Sequence, residues 1–327
     1  MDEKKVGLII TSRSNKEQLA RCVEFVYTQK YDGQIQTIVV DNASTDNSVF
    51  ILSSRYPQIK IIQNKVNFGI GTAVNQGIYA TDAPYIAVLH QDVEIEENWV
   101  SLLVRALESD PKIGSACSMV TYRRSKGSKI EIDSAGIGFR QGVPVRLAQG
   151  ADMASPRLSE AHPIFGVPGS AAMYKREMLE NIKLGNEIFD EDLFACCEDY
   201  DVAMRAYMHG YTSIFAPGTA ALHKRGILRE HDVKAQQERE ILEACAPILL
   251  LIKCLPLHIW DKHKRRTRRG FYKRILGLMG MFDIGVAAQA WNHYRLSRKK
   301  MFKKQMLLFE GLDVNLEAIE WEVFGKK

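Results

Sequence analysis

The sequence lacks the marks of secreted and membrane-spanning proteins. Its six cysteines include no CxxC pair, and the chain opens on the charged run MDEKK instead of an apolar leader, which predicts a reducing, cytoplasmic setting. The apolar stretch 241–260 is interrupted by Pro247, Lys253 and Pro256. The uninterrupted apolar runs within it are therefore shorter than the about 20 residues that a membrane span needs. We expect a buried or interfacial helix pair there.

Acidic residues are scarce in one part of the chain. Residues 253–305 hold 15 Lys and Arg against two acids, Asp261 and Asp283, so this segment carries a charge of +13 and the rest of the chain a charge of −8. A basic block of this kind is typical of a nucleic-acid partner, of an anionic membrane surface or of a solvated face. A nucleic-acid partner would explain this block alone, and we expect none.

The composition is otherwise ordinary for a globular protein. Of the 327 residues, 46% are hydrophobic and 25% are charged, which excludes collagen-like, low-complexity and wholly disordered chains. Helical patterns alternate with apolar, β-branched runs at 6–10, 35–40, 59–63, 85–89 and 113–120. This alternation predicts an α/β fold with a mostly parallel sheet flanked by helices. The weaker pattern over 121–165 predicts loops with short strands.

Polar residues follow the predicted strands directly. They are, from the first strand to the fourth, Thr11 and Arg13, Asp41, Asn64 with Asn67-Phe68-Gly69 following, and Gln91 and Asp92. Ligands of open α/β sheets bind at the carboxyl ends of the strands. Turn formation and helix capping also explain polar residues there, and this is the role we favour for Ser44 and Asp46. For Asp41 and Asp92, which end apolar strands, we favour ligand binding.

Six segments in a fixed order resemble a known family. They are VVDNASTDNS, NFGIGTAVNQG, LHQD, GSAAMYKREM, FDEDLFACCEDYDVAMRAYMHGY and His223. Together they resemble glycosyltransferase family 2, and within it the bacterial rhamnosyltransferase-like members. The resemblance implies a GT-A fold and an inverting transfer of a sugar from a UDP- or dTDP-sugar, such as dTDP-rhamnose, to a hydroxyl of a glycan or polyprenyl-linked acceptor. In bacteria such a step belongs to the synthesis of surface polysaccharides of the cell envelope.

The resemblance also divides the chain. It implies a catalytic domain over residues 1–226, with a nucleotide-binding half at 1–120 and an acceptor-binding, catalytic half at 121–226. Residues 227–327 are then a basic helical extension. We expect it either to dock on the cytoplasmic face of the membrane or to complete the core or a homo-oligomer interface. Docking is favoured by apolar residues that interleave with the basic runs, at Ile259-Trp260, Phe271-Tyr272, Ile275-Leu276 and Met281-Phe282.

An aspartate and a histidine are the metal ligands that the resemblance implies. Asp92 stands where the family places a DxD-type metal motif, and His223 where it places a histidine at the metal or the diphosphate. Carboxylates and substrate phosphates suit a hard cation, so a divalent ion, Mg²⁺ or Mn²⁺, is expected. The motif departs from the family, because His90-Gln91-Asp92 keeps one acid where two are common. For His90 the sequence leaves a ligand role and a packing role equally open.

The helix that begins near residue 198 carries the candidate base. In the family an ED pair supplies the general base, which corresponds to Glu198-Asp199 here; we assign Asp199 as the base, with Glu198 as the alternative. A carboxylate among apolar neighbours holds its proton more tightly, which suits that role. The helix dipole alone also stabilises acids in a first turn. Asp201 and Arg205, spaced four residues apart, are expected to form a structural ion pair.

The other site residues follow from the resemblance. It places Asp41 at the pyrimidine N3 and Thr11 and Arg13 near the base or ribose. It assigns Asn67, Gly69, Asn75 and Gln91 to the rest of the nucleotide site. Gly169 stands beside the sugar, where bulk would block the donor. Lys224 and Arg225 are candidate partners of phosphate oxygens.

Two alternative functions are a sugar nucleotidyltransferase and a non-catalytic binding module. A sugar nucleotidyltransferase would carry a glycine-rich loop after the first strand, and residues 11–15 hold no glycine. A degenerate, non-catalytic nucleotide-sugar-binding module would explain the reduced metal motif. The retained Glu198-Asp199 pair and His223 disfavour that module.

Overall fold

The computed structural model describes residues 4–123, 128–224, 233–312 and 314–325. The strands are β1 (Val6–Ser12), β2 (Ile35–Asp41), β3 (Lys60–Gln63), β4 (Tyr85–His90), β5 (Val93–Ile95), β6 (Ile113–Arg123), β7 (Ile130–Ser134), β8 (Ile137–Arg140), β9 (Val143–Arg146), β10 (His162–Ile164), β11 (Ala171–Lys175) and β12 (Thr212–His223). The helices are α1 (Lys16–Tyr27), α2 (Ser48–Arg55), α3 (Ile70–Tyr79), α4 (Trp99–Glu108), α5 (Arg176–Asn181), α6 (Glu198–Met208), α7 (Val233–Cys254), α8 (Leu257–Met281), α9 (Ile284–Phe309) and α10 (Leu316–Phe324). Two 3₁₀ turns cover Pro156–Leu158 and Glu191–Leu193.

One mixed sheet forms the centre of the molecule. In the described residues its order is β10-β12-β6-β11-β4-β1-β2-β3, with β5 added to β12 and β7 to β6, while β8 and β9 form a separate hairpin. The strands β3, β2, β1 and β4 run parallel, and β11 lies antiparallel between β4 and β6. The predicted α/β class with a mostly parallel sheet is confirmed. The strands β5 and β12 were not predicted as such.

Buried apolar strands place the polar strand ends at one edge. Every residue of β1 is buried, as expected of a strand covered by helices on both faces. In the parallel register Ser12 of β1 lies opposite Asp41 of β2, and Thr11 lies opposite His90 of β4. The three polar strand ends found in the sequence therefore meet in space.

The C-terminal helices pack against α6. A single hydrophobic cluster joins Tyr200 and Met204 of α6 to residues of α7, α8, α9 and α10. Most of the apolar stretch 241–260 is buried, although Leu257 is 60% exposed. The helix α7 runs through Pro247 and ends at Cys254, and α8 begins at Leu257, directly after Pro256. The boundary predicted at residue 226 lies outside the described residues.

Several apolar residues expected on a membrane-facing surface lie inside this cluster. Ile259, Trp260 and Phe271 are buried, so their part of the prediction is wrong; Tyr272 and Met281 are exposed. Helical periodicity marks an apolar face but does not say whether protein or lipid covers it. No helix in the described part of the chain has both the length and the apolar character needed to cross a membrane.

A buried network of ion pairs connects the C-terminal helices to α6 and to the segment before it. Lys253 of α7 is 1% exposed, and its Nζ lies 2.6 Å from Asp190 Oδ2 and 2.6 Å from Asp201 Oδ1. Arg205 Nη2 lies 2.6 Å from Asp201 Oδ2, the i,i+4 geometry that the sequence predicts. Lys304 of α9 reaches Asp190 Oδ1 at 2.6 Å. Two lysines of the basic block are thus internal ion-pair partners and not part of a solvated face.

Candidate active site

An open cleft of about 230 Å³ lies over the ends of β1, β2 and β4. Six residues predicted from the sequence line it: Thr11, Arg13, Asn67, Gly69, Gln91 and Asp92. Ser12, Gln18, Asn42 and Phe194 also line it and were not predicted. The cleft therefore collects the polar strand ends, as the carboxyl-end rule for open sheets requires.

Gln91 holds the loop that follows β1. Its Oε1 accepts from Ser12 Oγ at 2.7 Å and from the Arg13 backbone N–H at 3.1 Å, and its Nε2 donates to the Arg13 carbonyl at 3.2 Å. The amide thus orients Arg13 at the mouth of the cleft. A direct contact of Gln91 with a nucleotide stays a prediction.

Asp41 is fully buried at the end of β2. Ser44 donates to its carboxylate twice, from the backbone N–H at 3.2 Å and from the hydroxyl. The capping role favoured for Ser44 is therefore wrong: α2 begins at Ser48, whose N–H donates to Asp46 Oδ1 at 3.1 Å. The neighbouring Asn42 lines the cleft, and the contact of Asp41 with a pyrimidine stays a prediction.

Asn75 is buried in α3, and its side chain is fully occupied. Its Oδ1 accepts from the Phe189 N–H at 2.8 Å, and its Nδ2 donates to the Phe189 carbonyl at 2.9 Å and to Glu191 Oε1 at 3.1 Å. A contact of Asn75 with a nucleotide stays a prediction. The geometry supports a different role, which is to tie α3 to the segment that precedes α6.

Gly69 lets α3 approach the segment before α6 closely. Its φ is +87°, and a Cβ there would lie 2.5 Å from the Phe194 carbonyl oxygen, which accepts from the Ile70 N–H at 2.6 Å. Phe194 and Cys197 themselves have φ of +60° and +65°. Such conformations cost about 1–3 kcal/mol each and cluster at functional sites. Here they form the wall between the cleft and a second cavity.

Three potential metal ligands meet at the inner end of the cleft. The short strand β5 pairs with β12 so that His223 lies opposite Val93, next to Asp92. His90, Asp92 and His223 each offer one ligand atom, and these atoms lie within 4.8 Å of one another. The predicted ligands Asp92 and His223 are therefore brought together, with Asp92 Oδ1 3.3 Å from His223 Nε2. His90 is the third member of the cluster.

The electrostatics of the two histidines differ. Burial lowers the pKa of His223, but the carboxylates of Asp133 and Asp92 outweigh it and raise the pKa to about 9. Burial and the charge of His223 lower the pKa of His90 to about 4, so its imidazole is neutral. Among the described residues, the buried Nε2 of His90 has no hydrogen-bond partner. A neutral, unpartnered imidazole nitrogen is suited to ligate a metal.

This donor set fits a divalent cation. It offers two imidazole nitrogens and one carboxylate, with room for substrate phosphates on the open side of the cleft. Mg²⁺ prefers oxygen ligands in an octahedral shell, whereas imidazole nitrogens suit transition-metal ions. The two imidazole nitrogens therefore favour a transition-metal ion over Mg²⁺. Binding would displace the proton that His223 shares with its two carboxylates.

A second cavity of about 640 Å³ joins the cleft at Ile70, His90 and Ala195. We call it the catalytic cavity. Glu198 and Asp199 form part of its wall. The backbone N–H of His90 donates to the backbone carbonyl of Ser170 at 3.0 Å. This bond holds the loop before β11 beside the metal-ligand cluster. A ligand that extends along the cleft past Asp92 therefore enters the cavity that contains both acids.

The two acids at the start of α6 are in different environments. Asp199 is only partly buried, and its carboxylate accepts from the N–H groups of Gly169 at 3.0 Å and Tyr200 at 2.9 Å. Burial raises the pKa of Asp199, although these donors oppose the shift. Glu198 is buried, and burial together with the charge of Asp199 raises its pKa to about 8. The higher pKa of the pair therefore belongs to Glu198, while the two N–H donors favour the ionised form of Asp199.

Gly169 faces these acids directly. A Cβ at this position would lie 3.4 Å from Asp199 Cβ and 3.4 Å from Glu198 Oε1, which is ordinary contact. Alanine therefore fits against the protein itself. The predicted steric role of Gly169, toward a bound sugar, stays a prediction.

Three features of the catalytic cavity were missed from the sequence. They are the cavity-lining residues Asp133, Arg140 and Arg146. Asp133 Oδ2 lies 3.5 Å from His223 Nδ1, and Asp133 Oδ1 lies 3.4 Å from Arg146 Nη1. Asp133, Arg140 and Arg146 lie in the stretch 121–165, for which the sequence predicts loops with short strands and no periodicity marks single residues. Lys224, predicted to meet phosphate, pairs with Glu94 at 2.6 Å, and Arg225 lies outside the described residues.

Comparisons with known proteins decide the family. The family model described as Glycosyl transferase family 2 matches residues 8–183, more than half of the chain. The chain belongs to glycosyltransferase family 2. It is therefore a glycosyltransferase, and the nucleotidyltransferase and non-catalytic alternatives are set aside.

Two curated relatives in this family are distant in sequence. An N-acetylglucosaminyl-diphospho-decaprenol L-rhamnosyltransferase of Mycobacterium tuberculosis is 25% identical over 214 residues, which are 58% of this chain and 67% of the relative. The glycosyltransferase GlyG of Streptococcus pneumoniae is 28% identical over 116 residues, 34% of this chain and 38% of that protein.

Solved structures of glycosyltransferases share the fold. GalNAc-T7 with UDP, GalNAc and Mn²⁺ matches with a TM-score of 0.53 at 15% identity, covering 74% of this chain and 48% of that chain. A mannosyltransferase from Pyrobaculum calidifontis with GDP-Man and Mn²⁺ matches with a TM-score of 0.50 at 15% identity, covering 93% of this chain and 84% of that chain. This chain thus spans about half of GalNAc-T7 and most of the mannosyltransferase. The predicted GT-A fold is confirmed.

Proposed function

We propose that this family 2 enzyme transfers a sugar with inversion from a nucleotide diphosphate to an acceptor hydroxyl, with Asp199 as the general base. The observation that carries the proposal is the junction of the two cavities. The cleft over the strand ends meets the cavity that holds Asp199 at His90, beside Asp92. A donor in the cleft therefore directs its sugar toward the base.

The reaction is a single displacement. The acceptor oxygen attacks the anomeric carbon as its proton passes to Asp199, and the bond from that carbon to the diphosphate breaks. The nucleoside diphosphate leaves with the bonding electron pair. The N–H groups of Gly169 and Tyr200 keep the Asp199 carboxylate in place, and a cation at the histidine cluster would offset the charge of the leaving diphosphate.

For the donor we propose a UDP- or dTDP-sugar, with dTDP-rhamnose as one member, and for the acceptor a glycan or lipid-linked hydroxyl in bacterial surface polysaccharide synthesis. The name of the Mycobacterium tuberculosis rhamnosyltransferase supports this choice. The cytoplasmic location expected from the sequence belongs to the same proposal. A homo-oligomer through the C-terminal helices stays a prediction.

A donor screen tests this function. The purified enzyme is incubated with Mn²⁺, a lipid-linked acceptor and each of a panel of UDP-, dTDP- and GDP-sugars, and release of the nucleoside diphosphate is measured. Release that depends on the acceptor with a UDP- or dTDP-sugar is expected. Release with GDP-sugars alone would contradict the proposed donor class.

Mn²⁺ is expected to bind the cluster more tightly than Mg²⁺, because two of the three ligand atoms are imidazole nitrogens. Loss of a group that only hydrogen-bonds a metal ligand changes metal affinity by about 10- to 100-fold. Asp92→Asn alters a ligand itself and should therefore weaken Mn²⁺ binding by at least about 10-fold. Electron paramagnetic resonance of free Mn²⁺ measures this without turnover. Asp110→Asn, an exposed acid outside the cluster, is the control. Equal affinity in the two variants would remove Asp92 from the site.

We also propose that the turn between α8 and α9 docks the enzyme on an anionic membrane surface. Leu276, Met279, Met281 and Ile284 are 40–70% exposed there and form what we call the α8–α9 tip. Lys273 and Arg274 lie one turn away on α8. An exposed apolar group flanked by basic residues is typical of interfacial binding, and each Lys or Arg near an anionic surface contributes about 1 kcal/mol.

Removing two apolar side chains from the tip should weaken vesicle binding by about 10-fold or more, given the apolar area of Leu and Ile. Sedimentation with phosphatidylcholine vesicles, with and without phosphatidylglycerol, compares wild type with the double variant Leu276→Gln, Ile284→Gln. The double variant Met306→Gln, Leu307→Gln, at the far end of α9, is the matched control because those residues are 73% and 50% exposed. Equal recovery of all three proteins in the supernatant, with and without phosphatidylglycerol, would refute docking.

A further inference from the structure

A groove of about 590 Å³ adjoins the catalytic cavity. It lies between the β8–β9 hairpin and the helices α7 and α8, and we call it the basic groove. It shares Arg140, Val145, Pro247 and Arg274 with the catalytic cavity. The basic groove and the catalytic cavity are therefore neighbours, with two arginines at their common wall.

The charge of the basic groove is of one sign. Its charged lining residues are Arg140, Arg266, Arg269, Lys273 and Arg274, and its described lining includes no carboxylate. Within the described residues none of these five forms an ion pair with an acid; the nearby carboxylate of Glu243 pairs with Arg239 at 2.6 Å. Like charges spaced three or four residues apart on α8 destabilise a helix. An anion between them would remove this repulsion.

Pro247 fixes one of these cations at the junction of the two spaces. It lies inside α7 and has no N–H, so the carbonyl of Glu243, four residues earlier, lacks its helical donor. Arg274 Nη1 donates to that carbonyl at 2.9 Å. Arg274 lines both the basic groove and the catalytic cavity, where its guanidinium can bind an anion.

One side of the basic groove is apolar. Ile248 and Leu251 of α7 and Phe271 of α8 are buried side chains at its base, and Val143 of β9 lies opposite. A free phosphate or a polar glycan gains nothing from such a wall. A phosphate joined to an apolar chain gains from both the cations and the wall.

We propose that the basic groove binds the diphosphate and the first part of the hydrocarbon chain of a lipid-linked acceptor, whose sugar hydroxyl then reaches Asp199. This inference rests on the proposed function, because it identifies the acceptor of that transfer. Arg140 and Arg274 hold the diphosphate at the junction, and Arg266 and Arg269 hold its outer oxygens. The chain lies along Ile248, Leu251 and Phe271.

Binding of farnesyl diphosphate, measured by calorimetry on the full-length protein, tests the proposal without turnover. Charge-assisted contacts of two arginines are worth about 10- to 100-fold in affinity, so the double variant Arg266→Gln, Arg269→Gln should bind it that much more weakly. The double variant Arg265→Gln, Arg268→Gln removes the same charge from the same helix outside the described groove lining and should bind like wild type. Inorganic pyrophosphate should bind more weakly than farnesyl diphosphate, because it lacks the chain.

Three results would overturn the proposal: no binding of farnesyl diphosphate to wild type, equal weakening in both double variants, or pyrophosphate binding as tight as that of farnesyl diphosphate. The last result would show that the source of the anion is free phosphate. These outcomes are separate from failure of the donor screen. Loss of binding only in Arg266→Gln, Arg269→Gln supports the basic groove even in an enzyme for which no donor is found.

Discussion

Asp199→Asn is expected to lower the rate of sugar transfer by about 10²- to 10⁴-fold while donor binding is kept, which is the range that a general base contributes. The amide has the shape of the carboxylate but does not accept the proton of the acceptor. Steady-state release of the nucleoside diphosphate measures the rate, and calorimetry with the nucleoside diphosphate measures binding. A loss of binding equal to the loss of rate would show that Asp199 acts on the donor instead.

Glu198→Gln is the matched control for this prediction. Because burial and Asp199 raise the pKa of Glu198 to about 8, Glu198 is protonated at neutral pH, and glutamine resembles it in shape and charge. This variant should therefore keep most of its turnover. An inactive Glu198→Gln together with an active Asp199→Asn would exchange the two roles. Normal turnover in both variants would remove the base from this pair of residues.

Lys253→Met is expected to lower the free energy of unfolding by about 3–5 kcal/mol, the usual cost of breaking a buried ion pair by removing one partner. Lys253 is 1% exposed and bridges Asp190 and Asp201, so its loss leaves two buried carboxylates with fewer counter-charges. Urea unfolding followed by circular dichroism measures the change. Burial alone would raise the pKa of Asp190, but Lys253 and Lys304 outweigh it and hold that pKa low.

Lys300→Met is the control for the buried lysine. Lys300 is 65% exposed and pairs with Asp192 at 2.7 Å, and an exposed pair contributes about 0–1 kcal/mol. Because the pKa of Asp190 is depressed in the folded protein, its contribution to stability is present at neutral pH and is lost as the pH falls through that pKa. A Lys253→Met variant as stable as Lys300→Met would contradict the internal network.

The sequence predicts the central sheet and the donor cleft well, because both depend on local pattern. Short β-branched runs specify β1 to β4, and parallel pairing then brings Thr11, Gln91 and Asp92 to one edge of the sheet. The partners of Asp92 depend on long-range pairing. His223 reaches it only because β12 pairs with β5, a strand of three residues that leaves almost no signal.

The C-terminal helices show what pattern alone does not decide. A charged residue within an apolar run predicts an interruption, yet Lys253 is buried because Asp190 and Asp201, more than 50 residues away in sequence, neutralise it. Pro247 predicts a break, yet α7 continues through it because Arg274 satisfies the carbonyl that the proline leaves free. Both effects arise from tertiary contacts.

The configuration of the anomeric carbon in the product tests the central claim most directly. A single displacement with Asp199 as base places the acceptor oxygen on the face opposite the departing diphosphate. Nuclear magnetic resonance of the product, with the donor that the screen selects, is predicted to show the configuration inverted relative to that donor. A product with retained configuration would contradict the account, because a single displacement from the face opposite the diphosphate always inverts the anomeric carbon.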